Sequence, residues 1–348
     1  MSFVHSVVTG ATGQVGLELC RGLVAAGKSV RAVVLPGDPA VPRLRALGVE
    51  IATADVRDAP ALRRAIEGAT HLYHLAAIVS TTASHDLRMW QVNVEGARNA
   101  SRAARELGVR RMVYFSSIVV FDPAPLHEPL DETRRRMPVA MGSPYVRSKV
   151  VGEATVREQL DAGLELVVVH PTVVIGPNET HHVGVVQSLF FAWLAGRLPA
   201  VFAGGFDAVA VGDVVDGAIA AAERGRSGES YILGGEDLDV RALLRRAQAI
   251  VERSTVLPAT APRARRRTPV PRVAIPLPLA RAGLPVVDGV AWITRRRPAF
   301  TREDLRQLDG NRHIRTTKAR AELGYRPHGL DRALTMVYEE WLAKAGAG

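Results

Sequence analysis

A tyrosine and a lysine stand four residues apart in Tyr145-Val146-Arg147-Ser148-Lys149. On a helix that spacing puts both side chains on one face. A tyrosine hydroxyl has an ordinary pKa of about 10 and is a poor base near neutrality. A neighbouring ammonium favours the phenolate and is expected to lower that value. Such a pair can pass a proton to a ketone oxygen or take one from an alcohol. Ser117, in Tyr114-Phe115-Ser116-Ser117, supplies an upstream hydroxyl to hold the same oxygen. Alone, the tyrosine–lysine spacing is a common coincidence. It gains meaning from a glycine-rich stretch near the N-terminus.

That stretch is Gly10-Ala11-Thr12-Gly13-Gln14-Val15-Gly16, directly after an apolar run and before a helical pattern. Gly10 permits a tight turn, Gly13 a close backbone approach to a pyrophosphate, and Gly16 close packing of helix on sheet. The helix N-terminus then offers N–H groups and partial positive charge to phosphate. Thr12, Gln14 and Val15 complete the expected dinucleotide contacts. After the second apolar run a carboxylate would favour NAD and an arginine NADP. The chain has Leu35-Pro36-Gly37-Asp38 there. Leu35 does neither job, Arg31 is expected to face away, and Asp38 reaches the ribose if its loop folds back. The cofactor is therefore read as NAD or NADP, with a preference for NAD. Asp55, followed by Val56, is placed to meet the adenine.

These groups need a scaffold that gathers strand ends around one helix. Apolar runs predict strands at Phe3–Val8, Ser29–Leu35, Val49–Ala54, Thr70–Leu75, Arg111–Phe115 and Leu164–Val169. Helices are predicted after the glycine loop, from about His85 to Leu107, and from near Pro144. The alternation implies an α/β fold, a Rossmann-type doubly wound parallel sheet covered on both faces. Beyond Pro177 helices are predicted at Val185–Ala195, Val240–Val251 and Leu330–Ala343. A strand and helix over Val209–Ala222 and a strand at Glu229–Leu233 are expected to return to the main sheet, with Asp213 capping the helix. The expected division is a dinucleotide-binding domain over 1–176, with returning segments at about 207–233. A smaller, interleaved C-terminal substrate lobe takes 177–206 and 234–348.

The combination resembles the extended short-chain dehydrogenase/reductase family, also described as NAD-dependent epimerases and dehydratases. The resemblance rests on the glycine loop, Asp55, His74-Leu75-Ala76-Ala77, Asn93-Val94, Ser116-Ser117, the Tyr145–Lys149 motif, and His170-Pro171 through Gly176-Pro177. It resumes in Thr317-Lys318-Ala319 and Leu323-Gly324-Tyr325-Arg326-Pro327. Gly204-Gly205-Phe206 and Tyr231-Ile232-Leu233-Gly234-Gly235 resemble the branch of dihydroflavonol reductases and 3β-hydroxysteroid dehydrogenases. The resemblance implies that Ser117, Tyr145 and Lys149 are catalytic and that Asn93 holds a helix or a relay water. It implies that Leu75, Ala76 and Ala77 lie along the cofactor, with Pro171 and Val174 against the nicotinamide.

Several substrates suit this family. Nucleotide-sugar enzymes resemble one another in an asparagine before the Gly-Pro pair, where this chain has Val173. An apolar side chain cannot hydrogen-bond a diphosphate. The expectation is a reductase or dehydrogenase on a hydrophobic ketone or alcohol (lipid-, sterol-, isoprenoid- or flavonoid-like). A nucleotide-sugar epimerase or dehydratase is the alternative, and a non-catalytic dinucleotide sensor the second. Val79, Ser80, Thr81, Ile118, Asn178 and Phe206 are the expected substrate wall. Phe190, Phe191, Trp193 and Leu194 read first as core. His127, His170, His181 and His182 lack zinc-ligand spacing, so no metal is expected.

The formal net charge is +10, with aromatics at 5% and no nucleic-acid-binding motif. No nucleic-acid partner is expected. Arg263, Arg265, Arg266 and Arg267 precede a Pro-rich apolar stretch that ends in Arg295, Arg296 and Arg297. The plain reading is a solvated loop and a closing helix. The sharper one is weak association with an acidic membrane surface. The prolines argue against one continuous amphipathic helix. A lone Cys20 and the lack of a signal-peptide pattern suit a cytoplasmic protein. By resemblance the helices at 85–107 and 144–160 form a homodimer interface. Arg98, Arg102 and Arg105 on the first keep a monomer in view.

Overall fold

The computed structural model describes residues 4–79, 86–160, 162–178, 185–254, 268–295, 298 and 300–346. The first half alternates strand and helix: β1 (Val4–Thr9), α1 (Gln14–Ala25), β2 (Val30–Val34), α2 (Val41–Ala46), β3 (Glu50–Thr53), α3 (Ala59–Ile66) and β4 (Ala69–His74). Next come α4 (Asp86–Trp90), a π-helical turn at Gln91–Glu95 and α5 (Gly96–Glu106). They lead to β5 (Arg111–Phe115), α6 (Pro144–Arg157), β6 (Leu166–Pro171) and β7 (Val173–Ile175). The second half holds α7 (Val185–Leu194), β8 (Ala200–Phe202), β9 (Gly205–Ala210), α8 (Val211–Arg224), β10 (Ser230–Leu233), β11 (Glu236–Asp239) and α9 (Val240–Arg253). It closes with β12 (Val273–Ile275), α10 (Leu277–Thr294), α11 (Arg302–Leu308), α12 (Thr317–Leu323) and α13 (Asp331–Gly346).

Seven strands form one parallel sheet in the order β10-β6-β5-β4-β1-β2-β3. Val167, Val168 and Val169 of β6 are all buried, as a strand covered on both faces requires. One face packs on Leu19, Leu23, Val214 and Ala218 from α1 and α8. The other packs on Leu62, Ile66, Ala97 and Ala100 from α3 and α5. The chain turns outward on opposite sides of β1 and β4, so their carboxyl ends splay and leave a crevice between them. A three-stranded sheet, β11-β9-β7, and a pair, β12-β8, stand beyond that crevice. Phe190, Trp193, Phe206, Leu243, Leu244 and Val337 form their core.

Three expectations change. The strand near Val209 does not return to the main sheet: β9 pairs with β7 and β11, and only β10 returns. Asp213 does not cap α8, because the helix already begins at Val211. Its carboxylate instead accepts the His328 N–H at 3.0 Å, tying α8 to the chain before α13. The prolines do not break α10, which is continuous through Pro285. Pro285 is exposed and removes only one backbone donor, while Leu277, Ala280 and Leu284 hold the helix from below.

Helix α6 is fixed by two adjacent residues, Gly152 and Glu153. At Gly152 an added Cβ would stand 2.5 Å from the Asn93 carbonyl and 2.9 Å from the Tyr114 hydroxyl. Only glycine lets the helix approach the π-helical turn this closely. One residue on, the buried Glu153 carboxylate accepts from Ser116 at 2.6 Å, His170 at 2.9 Å, Arg136 at 2.7 Å and Arg157 at 3.1 Å. Burial opposes its charge, but His170, Arg136 and Arg157 outweigh burial and hold the carboxyl well below its ordinary value. Burial also keeps His170 below the usual imidazole range, so at neutral pH it serves as a neutral N–H donor. The charge is then balanced by the two guanidiniums.

Removing that charge leaves two arginines half-satisfied. Glu153→Gln is expected to cost about 3 kcal/mol at pH 7, measured by urea unfolding. A depressed carboxyl stabilises the fold above its unfolded value and loses that contribution as pH falls through its folded value. The gap between wild type and variant should therefore be widest at pH 7 and narrow in acid.

Candidate active site

A cavity of about 820 Å³ lies over the carboxyl ends of β1, β4, β5 and β6 and reaches the second sheet. This is where ligands enter open α/β sheets. Gly10, Gly13, Gln14, Val15 and Gly16 line it, as do Leu75, Ala77, Ser117, Tyr145, Lys149, Pro171 and Val174.

The glycine loop is built for close approach. Gly10 has φ +67°, and a Cβ there would lie 2.7 Å from the Ala76 nitrogen. The loop and the end of β4 are thus in backbone contact. Gln14 donates to the Gly176 carbonyl at 2.8 Å, which fastens the loop to the segment after β7. No side chain caps α1 at Gly13, so its first-turn N–H groups are left for a ligand. The loop after β2 does fold back: Thr12 donates to Asp38 at 2.7 Å, and Ala40 N–H donates to its other oxygen at 2.9 Å. Arg31 does face away, bound to Glu50 and to the carbonyls of Ala65 and Glu67. An uncapped helix end with a carboxylate drawn beside it fits a dinucleotide, the pyrophosphate at the first and a ribose at the second. Asp55 is turned onto Arg57, at 2.6 Å, and that hydrogen bond leads the effects lowering its pKa. Val56 is buried against Gly96.

Tyr145 and Lys149 project from the start of α6, whose first turn is capped by Ser143. The Lys149 ammonium donates to the Phe115 carbonyl at 2.9 Å and lies 5.7 Å from the Tyr114 ring centre. Burial lowers its pKa to about 8, against the attraction of Glu153. The expected lowering of Tyr145 is not what the structure gives. Burial pushes its hydroxyl up to about 12, and the neighbouring Ser117 hydroxyl offsets this only in part. Desolvation of the phenolate decides the direction. Asn93 is buried in the π-helical turn. It accepts from Ile78 N–H at 2.7 Å and donates to Ile78 O at 3.0 Å and Ser148 Oγ at 2.9 Å. It joins the β4 exit loop to α6, between the glycine loop and the tyrosine.

The outer wall is largely apolar: Val79, Ile118, Phe121, Met137, Val173, Phe190, Phe206 and Leu334 all contribute. Phe190 serves both core and cavity, while Trp193 and Leu194 are core. Asn178 is not on the wall. It is buried beside α13, its N–H donating to Glu340 at 2.9 Å. Ser80, Thr81, His181 and His182 lie outside the described residues. His170 is the buried partner of Glu153.

Two acids reach the cavity that sequence reasoning missed. Glu303, from α11, is pushed up by burial against the neighbouring Ser143 hydroxyl, and its charge adds to the rise at Tyr145. Asp207, from β9, is pushed up to about 6 by burial, although it accepts the Gly235 N–H at 2.8 Å. Neither sits in a local motif. Each becomes part of the site only when a distant segment folds over it.

Residues 6–234 match the model of the NAD dependent epimerase/dehydratase family. Sterol demethylase protein B of Methylococcus capsulatus is 32% identical over 324 residues, covering 92% of this chain and 93% of that protein. UDP-glucose 4-epimerase of Mycolicibacterium smegmatis is 32% identical over 254 residues, covering 69% of this chain and 80% of that protein. The crystal structure of gox2253 superposes with a TM-score of 0.79 at 29% identity, covering 99% of each chain.

The loop geometry separates two glycines. Gly10→Ala forces a side chain into left-handed backbone and into Ala76, which should cost about 1–3 kcal/mol. At Gly13 the nearest contact of a new Cβ is 3.2 Å, with no positive φ. Thermal melting should therefore fall clearly for Gly10→Ala and little for Gly13→Ala.

Proposed function

The chain belongs to the NAD dependent epimerase/dehydratase family, and from that footing we propose that it reduces an apolar ketone, or oxidises the matching secondary alcohol. The observation that carries this reading is a neutral Tyr145 hydroxyl beside Ser117 at the floor of a cavity with a largely apolar wall.

In this reading Gly10, Thr12, Gly13, Gln14, Val15 and Gly16 would hold the cofactor's pyrophosphate. Asp38 would accept from the adenosine ribose, which favours NAD over NADP. Asp55 and Val56 would hold the adenine, Leu75, Ala76 and Ala77 the second ribose, and Pro171 and Val174 the nicotinamide. Bound there, the nicotinamide supplies or accepts a hydride. Ser117 holds the substrate oxygen by its hydroxyl. Tyr145, buried and protonated, donates its proton to that oxygen in the reductive direction and recovers it in the reverse. Lys149 holds positive charge near the tyrosine, which offsets the cost of the transient phenolate. Asn93 keeps α6 in position against the β4 exit loop. The nucleotide-binding segments would be 1–171 with a return through α8 and β10, and the remainder would close the substrate side.

The substrate class follows from the wall. Val173 occupies the cavity face where a nucleotide-sugar enzyme needs a hydrogen-bonding side chain. Val79, Ile118 and Phe206 favour an apolar body, and the full-length similarity to a sterol-processing protein points the same way.

Tyr145→Phe should lower turnover of a hydrophobic ketone about 100-fold or more, while NADH binding, read by fluorescence, stays unchanged. Unchanged turnover would remove Tyr145 from the chemistry. Lys149 is charged below its value of about 8 and neutral above it. Reductive turnover is thus expected to fall as pH rises through about 8, in a steady-state pH profile.

A further inference from the structure

Helix α10 is apolar on two opposite faces. Leu277, Ala280 and Leu284 pack on Phe202, Ile275, Phe300 and Leu305. On the other side Leu279, Val286, Val290 and Ile293 are 64%, 70%, 56% and 73% exposed. Their spacing places them in one stripe along the helix. Trp292, on the flank of the helix away from the stripe, is 82% exposed. A contiguous apolar face of this kind in water marks a surface with a partner. No helix among the described residues is long and apolar enough to cross a membrane. The face is suited to lying on a surface.

The charges around it choose the surface. Arg272, Arg281, Arg295, Arg302 and Arg306 are exposed before, on and after α10. The exposed acids of the same stretch are Asp288 and Asp309, and Asp309 is paired with Arg281 at 2.5 Å. The whole chain carries a formal charge of +10. A second copy placed against this face would bring arginine to arginine, which opposes association. An anionic bilayer accepts both components, side-chain hydrocarbon among the acyl chains and guanidinium at the phosphates. Tryptophan favours the same boundary.

We propose that α10 docks the protein on an anionic lipid bilayer, with the Leu279–Ile293 stripe in the interface. The docking stands on the helix alone.

Sedimentation of the full chain with vesicles tests this. Wild type should pellet with vesicles containing about one-third phosphatidylglycerol, bind pure phosphatidylcholine weakly, and be released by salt. The triple variant Val286→Ser, Val290→Ser, Ile293→Ser should bind about tenfold more weakly or worse, with its melting temperature unchanged. Wild type left in the supernatant, or a triple variant that binds as tightly, overturns the proposal. A wild-type dimer in sedimentation velocity that the triple variant converts to monomer also overturns it, assigning the face to self-association. Vesicle binding as expected, with no ketone reduced in solution, would support docking and count against the reductase reading.

Discussion

One buried carboxylate decides where the chemistry can occur. Glu153 lies one helical turn beyond Lys149 and two beyond Tyr145 on α6. Its oxygens gather β5 through Ser116, β6 through His170, the loop before α6 through Arg136, and its own helix through Arg157. A charge so placed is costly unless every lone pair is answered. Here it is answered from four segments at once, so none can slide without breaking the set. The network thus fixes, from behind the cavity, where Tyr145 and Lys149 stand on α6.

The front of the site uses the same burial differently. Removing water raises the Tyr145 hydroxyl to about 12 and lowers Lys149 to about 8, each toward its neutral form. A protonated tyrosine is the form that can donate. The Glu303 and Asp207 carboxyls are raised by the same dry wall. A pocket that favours uncharged groups suits a substrate that is itself uncharged. At the glycine loop the polar groups are an open helix end and the Asp38 carboxylate drawn beside it.

Much of this was legible in the residues because it is local. The parallel sheet could be read from apolar runs such as Leu166–Val169, and β5 to its terminal residues, since Arg111 and Ser116 bracket it. The folding back of Asp38 was left open by Leu35-Pro36-Gly37 and is settled by its bonds to Thr12 and Ala40. What escaped depends on distance or burial. The short helices α2 and α3 have no long apolar period to announce them. The partnership of β9 with β7, not the main sheet, is a matter of topology. Glu303 and Asp207 come to the cavity from segments with no catalytic pattern. The direction of the Tyr145 shift depends on how dry the floor is, which spacing does not encode. Asn178 stands where the chain leaves the main sheet, and its backbone N–H is claimed by Glu340 on α13, a partner far away in the sequence. In α10 the prolines misled, because Pro285 faces outward and interrupts nothing that packs.

In the proposed reaction hydride passes between a nicotinamide and an apolar carbonyl carbon and stays there. The direct measurement is isotope transfer from NADH carrying deuterium on its reactive carbon, with a sterol-like or long-chain ketone as acceptor. Mass spectrometry of the product should find one deuterium at the carbinol carbon, matched by one equivalent of cofactor oxidised. Unlabelled ketone recovered intact, together with inversion of a nucleotide-sugar and no net oxidation of cofactor, would contradict the account and move the chain to epimerase chemistry.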